Sequence, residues 1–168
     1  MCGIAGLMTR DNSAPDAAML DHFARALGHR GPDGEGKYLV DPVAMVQTRL
    51  AIIDLKTGDQ PFFESGGAAL IANAEIYNFH ELRDTLKGVE FTSASDCEPP
   101  LHLYRRDGLD FVDALRGMYA IAIHDPAESR LVLTRDPFGI KPLYYIETSE
   151  VFAFASEPQA LIAAGLTA

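Results

Sequence analysis

The hydrophobic positions of the chain follow two periods, and the change of period predicts where helices and strands lie. Between Ser13 and Gly28 the apolar residues recur every three or four positions, which predicts a helix capped by Ser13 with Pro15 in its first turn. A buried strand is predicted before this helix, at residues 2–7. The apolar face of the helix is formed by Met19, Leu20, Phe23, Ala24 and Leu27.

Two capping boxes predict further helices in the middle of the chain. Asn78 is followed three residues later by Glu81, and Ser95 stands in the same relation to Glu98. The prolines at residues 99–100 lack backbone donors, so we expect the second of these helices to begin after its capping box. Two more helices are predicted, around Phe111 and at residues 158–164.

The remaining apolar segments are short and separated by turns, which is typical of strands in antiparallel hairpins. Two groups of strands, each with helices able to cover one face, predict an α+β fold in which two packed, mainly antiparallel sheets lie between helical layers. No linker divides residues 1–168, so we expect a single domain. The predicted strands are residues 37–40, 43–48, 68–73, 118–124, 130–135, 143–146 and 151–155.

Composition and charge exclude several classes of function. A formal net charge of −10 disfavours binding to nucleic acid. No apolar run approaches the roughly 20 residues of a membrane span, and no secretion signal precedes residue 8, so we expect a cytoplasmic protein that does not enter membranes. Both cysteines are expected to be free thiols. The histidines lack metal-ligand spacing, and we expect neither a metal nor another cofactor.

Cys2 offers unusual chemistry if Met1 is removed, because the thiol and a free α-amine then belong to one residue. An α-amine with a pKa of about 7.7–8.0 can take the proton of a thiol whose unperturbed pKa is about 8.5. Gly3 and Gly6 carry no Cβ, and we expect them to leave room for a substrate near the thiol. Taken alone, Cys2 is better explained as an incidental cysteine at the start of a strand.

Seven motifs run in order through nearly the whole chain, at residues 1–6, 29–33, 49–54, 73–78, 95–98, 135–144 and 154–157. Together they resemble the glutaminase domain of class II glutamine amidotransferases, and in particular that of glutamine-hydrolysing asparagine synthetases. The resemblance implies an N-terminal nucleophile (Ntn) hydrolase fold, a four-layer αββα sandwich. It also implies hydrolysis of L-glutamine to glutamate and ammonia through a thioester.

The resemblance further implies a role for each matching site residue. Cys2 is the nucleophile, with its own amine as base, and Asn73 and Ala74 form the oxyanion hole. Arg49 holds the α-carboxylate of glutamine, which suits the planar fork of a guanidinium. The α-amine is held by Glu75 and Asp96, and the backbone of four residues lines the pocket: Leu50, Ala51, Ile52 and Ile53.

One departure from the family pattern concerns the oxyanion hole. Ala74 stands where the family has glycine, and if this position needs a positive φ the alanine costs roughly 1–2 kcal/mol or tilts the donor away. A second reading is therefore a catalytically weakened relative that binds glutamine or acts as a scaffold. A third is an Ntn hydrolase that acts on another amide and has little need for Arg49.

A second departure from the family pattern concerns the expected partner of the chain. The chain ends soon after the last motif, without the ATP-dependent synthetase domain of asparagine synthetases, so we expect it to supply ammonia to a separate synthetase subunit. The oligomeric state is left open, a homo-oligomer included. Arg30 and Asp33 are expected either to form an ion pair that fixes their loop or to cover the glutamine. Arg135, Asp136 and Lys141 are expected to brace the loop between two strands.

Overall fold

In residues 1–166, which the computed structural model describes, nine strands form two antiparallel sheets. The strands are β1 (Gly3–Thr9), β2 (Gly34–Val40), β3 (Val43–Arg49), β4 (Phe62–Phe63), β5 (Ala69–Ile76), β6 (Gly117–Asp125), β7 (Arg130–Arg135), β8 (Tyr144–Glu147) and β9 (Val151–Ala155). The helices are α1 (Ala18–Leu27), α2 (Phe79–Thr85), α3 (Pro99–Asp107) and α4 (Pro158–Ala163), with a 3₁₀ helix at Gly108–Ala114.

The two sheets pack face to face. One has the strand order β2-β3-β1-β9-β8 and the other has the order β4-β5-β6-β7. Side chains alternate between the faces of a strand, so every second residue of β1, β3, β5 and β6 points into the space between the sheets. The buried residues that form this central core are Ile4, Tyr38, Val43, Met45, Ala69, Ile71, Ala120, Ala122 and Phe154.

Helices cover the outer face of each sheet. The opposite faces of β1 and β3 carry Ala5, Leu7, Ala44 and Val46, which form a second core with α1 and α4. The outer face of the other sheet packs against α2, α3 and the 3₁₀ helix through a third core. Four layers in the order αββα result, which confirms the predicted fold class.

The predicted start of α1 was wrong, and α2 starts where predicted but lacks the predicted capping bond. Ala17 caps α1 without a side-chain bond, and it is Asp16 whose Oδ1 accepts the Ala18 amide at 2.9 Å, so Ser13 is not the cap. Asn78 does precede α2, but its side chain bonds Ala114 and Arg116 instead of the helix.

The third helix behaves as expected, because α3 begins at Pro99, after its capping box, with prolines in its first turn. β4 was not predicted, because two residues are too few for a periodic pattern. None of the helices among the described residues is long and apolar enough to cross a membrane.

The glycines near the N-terminus serve packing, which corrects the expectation that they leave room for substrate. A Cβ at Gly3 would lie 2.8 Å from Thr48 Oγ1. A Cβ at Gly6 would lie 2.6 Å from the carbonyl oxygen of Ala44. The space beside each glycine is therefore filled by the protein itself.

Candidate active site

The predicted site residues meet at one end of the space between the two sheets. The side chains of Ile4, Met45 and Ile71 point into the space between the sheets. Because side chains alternate along a strand, residues two or four positions away point into the same space. These residues are Cys2, Gln47, Arg49, Asn73 and Glu75. A cavity of about 230 Å³ opens there. Its lining residues are Met1, Cys2, Gln47, Arg49, Leu50, Ile52, Ile53, Gly58, Gln60, Asn73, Ala74, Glu75, Ser95, Asp96, Cys97 and Lys141.

The thiol of Cys2 lies against the backbone of Leu50. Its Sγ atom lies 3.4 Å from Leu50 N, which donates to it, and 3.6 Å from Leu50 O, to which the thiol donates. Cys2 is a free thiol and is partly exposed. Its nitrogen is in the peptide bond to Met1, which also lines the cavity, so removal of Met1 would free an α-amine beside the sulfur.

Arg49 is buried, and its guanidinium is already engaged. Nη1 donates to Asp59 Oδ1 at 2.6 Å, and Nη2 donates to the backbone oxygens of Ile53 and Asp54. These partners belong to the loop at residues 50–59, so Arg49 holds the loop that forms one side of the cavity.

Asn73 carries a buried polar group without a protein partner. The residue is 2% exposed, and its Nδ2 finds no acceptor among the described residues. Because an unpaired buried donor costs free energy, it is the kind of group that a bound ligand satisfies. An amide donor that faces a cavity beside a thiol suits the stabilisation of an oxyanion.

The N–H of Ala74 is directed to the cavity side of β5. Tyr119, which lies opposite Ala74 in β6, bonds Asp136 through both its backbone N–H and its backbone oxygen. The backbone N–H and oxygen of Ala74 therefore point away from β6. On that same edge the amides of Ala72 and Ile76 donate to Gln60 Oε1 at 2.6 Å and Asp96 Oδ2 at 2.8 Å.

The conformation of Ala74 is that of a strand. The non-glycine residues with positive φ in the described part of the chain are Asn12, Asp54 and Ser129. Ala74 is not among them, and it lies inside β5, which extends to Ile76. The strain that an alanine would suffer at positive φ is therefore not present.

Two carboxylates face the cavity from neighbouring elements. Asp96 is 3% exposed, and burial raises the pKa of its carboxyl, although the Ile76 amide that it accepts opposes this. Glu75 is partly exposed, and its Oε1 lies 3.3 Å from Lys141 Nζ. Burial also raises the pKa of the Cys97 thiol, so this residue is a small neutral side chain at neutral pH.

The structure differs from the expectation for one pocket residue, Ala51. Ala51 does not line the cavity, and its amide donates to Asp33 Oδ2 at 2.9 Å. Lys141 braces its loop as expected, because its amide donates to Asp136 Oδ2 at 3.1 Å, and it also lines the cavity and pairs with Glu75. Asp136 does brace that loop, because its carboxylate accepts backbone amides at residues 119, 138, 140 and 141.

Arg30 and Asp33 do not pair with each other. Arg30 Nε donates to the carbonyl oxygen of Cys2 at 3.0 Å, and its Nη1 lies 2.7 Å from Glu157 Oε1. Asp33 holds Ala51 instead. Each residue therefore fixes a different wall of the site, Arg30 the segment of the thiol and Asp33 the loop at residues 50–59.

Sequence reasoning missed Gln47 and Gln60. Both line the cavity, and Gln47 is 1% exposed with an Nε2 that lacks an acceptor among the described residues. The pattern of β3 held the signal for Gln47, because it shares a strand face with Met45 and Arg49. No group of three or more His, Cys, Asp and Glu side chains within residues 1–166 is placed to hold a metal ion.

Comparison with known sequences and structures identifies relatives. The chain is 41% identical over 167 residues to asparagine synthetase [glutamine-hydrolyzing] 2 of Bacillus subtilis (strain 168), covering 96% of this chain and 22% of that protein. It is 40% identical over 146 residues to asparagine synthetase [glutamine-hydrolyzing] 3 of Arabidopsis thaliana, covering 86% of this chain and 25% of that protein. The chain thus spans about a quarter of the length of these curated relatives.

A solved structure has the same fold. The glutamine phosphoribosylpyrophosphate amidotransferase of B. subtilis, in complex with ADP and GMP, superimposes with a TM-score of 0.77 at 21% identity, covering 98% of this chain and 44% of that chain. The family model described as a glutamine amidotransferase domain matches residues 1–168. The chain therefore belongs to the glutamine amidotransferase domain family, in its class II form with an Ntn-hydrolase fold.

Proposed function

We propose that this chain is a glutaminase that hydrolyses L-glutamine to glutamate and ammonia through a thioester on Cys2. One observation carries the proposal: a free thiol lies at a cavity lined by a guanidinium, two carboxylates and an amide donor without a protein partner. These groups match the α-carboxylate, the α-ammonium and the side-chain carbonyl of one amino acid.

Two sides of the cavity bind the two charged groups of the amino acid. Arg49 supplies the planar fork that suits a carboxylate. Glu75 and Asp96 supply negative charge for the ammonium group. A ligand held at both ends presents its side chain towards Cys2, and such orientation removes much of the entropic cost of bringing the reacting atoms together.

Chemistry then proceeds in two stages. The α-amine of Cys2 takes the thiol proton, the thiolate attacks the amide carbon of glutamine, and the oxyanion accepts bonds from Asn73 Nδ2 and the Ala74 N–H. Each such donor is typically worth about 2.7–4 kcal/mol in the transition state. The carbon–nitrogen bond breaks as the protonated amine returns its proton to the leaving ammonia. Water, activated by the same amine, hydrolyses the thioester to glutamate.

Ammonia released here would serve a synthetase. The relatives are glutamine-hydrolysing asparagine synthetases in which this chain matches about a quarter of the length, so we propose that a synthetase domain or subunit elsewhere uses the ammonia. The rim of the cavity supports docking of such a partner, because Ile52 is 69% exposed and Ile53 is 39% exposed.

The deciding experiment measures both the intact mass and the glutaminase activity of the purified protein. We expect the mature protein to be lighter by one methionine, to release glutamate from glutamine, and to gain one adduct from an electrophilic glutamine analogue. Cys2→Ala should abolish release and labelling, whereas Cys97→Ser, at the other cysteine, should still gain the adduct. A protein that has lost Met1 and still releases no glutamate would refute the proposal. Faster turnover of an amide other than glutamine would favour the third reading.

A further inference from the structure

Arg49 already holds a carboxylate of the protein. Its Nη1 donates to Asp59 Oδ1 at 2.6 Å, while Nη2 is bound by the backbone oxygens of Ile53 and Asp54. Asp59 is the one residue in the described part of the chain whose carboxylate lies within ion-pair distance of this guanidinium. A substrate carboxylate that approached Arg49 would therefore find the guanidinium already paired with Asp59.

The two partners differ strongly in burial. The side chain of Arg49 is 9% exposed and that of Asp59 is 80% exposed. An exposed carboxylate regains its hydration when it leaves, so its release costs little. A buried guanidinium left unpaired would pay a large desolvation cost. The aspartate is therefore the partner that can be exchanged, provided that another carboxylate takes its place.

The loop holds Asp59 at this position. Asp54 has a φ of 52°, and its carboxylate accepts the amides of Lys56 and Thr57 and, from a separate segment, that of Ala94. A Cβ at Gly58 would lie 2.7 Å from Arg49 Nη2, so the backbone passes directly against the guanidinium. Gly58 and Gln60 line the cavity on either side of Asp59, which itself is not a lining residue.

We propose that Asp59 is an internal competitor for the substrate: its carboxylate pairs with Arg49, and the α-carboxylate of glutamine displaces it on binding. The inference rests on the proposed function, in which Arg49 is the carboxylate clamp. Exchange of one carboxylate for another keeps the buried guanidinium paired before and after binding. An amide without an α-carboxylate cannot make this exchange, so Asp59 also acts as a specificity-determining residue.

The test compares Asp59→Asn and Asp59→Ala with the native protein in steady-state hydrolysis of glutamine. A surface ion pair is worth up to about a fivefold change in affinity and Arg49 is buried, so removal of the competitor should lower KM by about fivefold or more with kcat unchanged. Asp110→Asn is the matched control, because it removes the same charge from an exposed position in the 3₁₀ helix and should leave KM unchanged. An unchanged or raised KM in both Asp59 variants overturns the proposal.

Calorimetry separates this inference from the proposed function. In a Cys2→Ala background, which cannot turn over, Asp59→Asn should lower the Kd for glutamine by the same factor. A lower Kd in a protein whose native form does not hydrolyse glutamine would refute the function and retain the competitor. Hydrolysis in the native protein with no fall in Kd would retain the proposed function and refute the competitor. No binding of glutamine with or without Asp59 would refute both.

Discussion

The sulfur of Cys2 lies 3.4 Å from the backbone nitrogen of Leu50, the residue that follows Arg49 in the chain. The thiol donates to the oxygen of the same residue at 3.6 Å. Once the proton has left, the N–H still provides a donor aimed at the sulfur. The proposed nucleophile and the proposed carboxylate clamp are thus joined through one segment of backbone, so a shift of the loop at residues 50–59 would move both.

Asn73→Ala should lower kcat by about 100- to 1,000-fold with little change in KM, because the Nδ2 donor acts on charge that develops only in the transition state. Steady-state glutaminase kinetics provide the measurement. Gln47→Ala is the comparison, since Gln47 is the other buried amide at the cavity whose nitrogen has no acceptor within residues 1–166. Equal losses in the two variants would argue against a specific oxyanion role for Asn73.

Ala74→Gly should change kcat little, because Ala74 lies in β5 with extended backbone and gains nothing from the freedom of glycine. Glycine inside a strand should instead lower the free energy of unfolding by about 0.5–1 kcal/mol. Kinetics and urea unfolding measure the two effects. A rise in kcat of tenfold or more would show that the alanine impairs the oxyanion hole, as the weakened-relative interpretation requires.

Motif order and periodicity together predicted the four layers because each depends on local sequence. The face of α1 that carries Leu20, Phe23 and Leu27 was visible in the sequence and is buried in the structure. The meeting of Arg49, Asn73 and Asp96 at one cavity came from the resemblance to a family, since these residues come from three separate segments.

Long-range pairing is what local patterns could not supply. The ion pair between Arg30 and Glu157 joins residues 127 positions apart, and the sequence around Arg30 pointed instead to its neighbour Asp33. The pairing of Lys141 with Glu75 spans 66 positions and was missed for the same reason. Which of several nearby charges a residue binds depends on how the sheets pack.

Arg49→Lys should raise the KM for glutamine about tenfold or more and affect kcat less. A lysine ammonium is a point charge and cannot form the planar, two-bond contact of a guanidinium with a carboxylate. Arg25→Lys, an exposed change on α1, is the control and should leave both parameters unaltered. Unchanged glutamine kinetics in Arg49→Lys, with an unchanged melting temperature, would argue against the carboxylate clamp.

The KM for glutamine should rise as the pH falls, and the rise should begin at a higher pH than protonation of an ordinary aspartate would produce. Burial raises the pKa of Asp96, so its carboxyl takes up a proton before an exposed one does and then loses its attraction for the substrate ammonium. The measurement is KM against pH. In Asp96→Asn, which keeps an oxygen for the Ile76 amide, KM should be raised at neutral pH and this acid dependence reduced. The same acid dependence in both proteins would assign it to another group.

Glu98 connects the start of α3 to the segment that precedes Asp96. It is fully buried, and its two oxygens accept the amide and hydroxyl of Thr92, both at 2.8 Å, and those of Ser93 at 2.9 and 2.6 Å. Burial alone would raise the pKa of Glu98, but the nearby His102 and these hydrogen bonds outweigh it and lower the pKa to about 2. The charged carboxylate therefore stabilises the fold.

The folded protein should lose stability as the pH falls from 4.5 towards 2, because the unfolded chain protonates Glu98 first. The loss from this group is roughly 3 kcal/mol once the pH is below both pKa values. Glu98→Gln should be less stable than the native protein at neutral pH and should lose less on acidification, as measured by urea unfolding across this range. Glu90→Gln, an exposed change nearby, should retain the native dependence on pH. Parallel acid losses in native protein and Glu98→Gln would mean that other carboxylates control acid unfolding, and that the hydrogen bonds at residues 92–93 do not depend on the charge of Glu98.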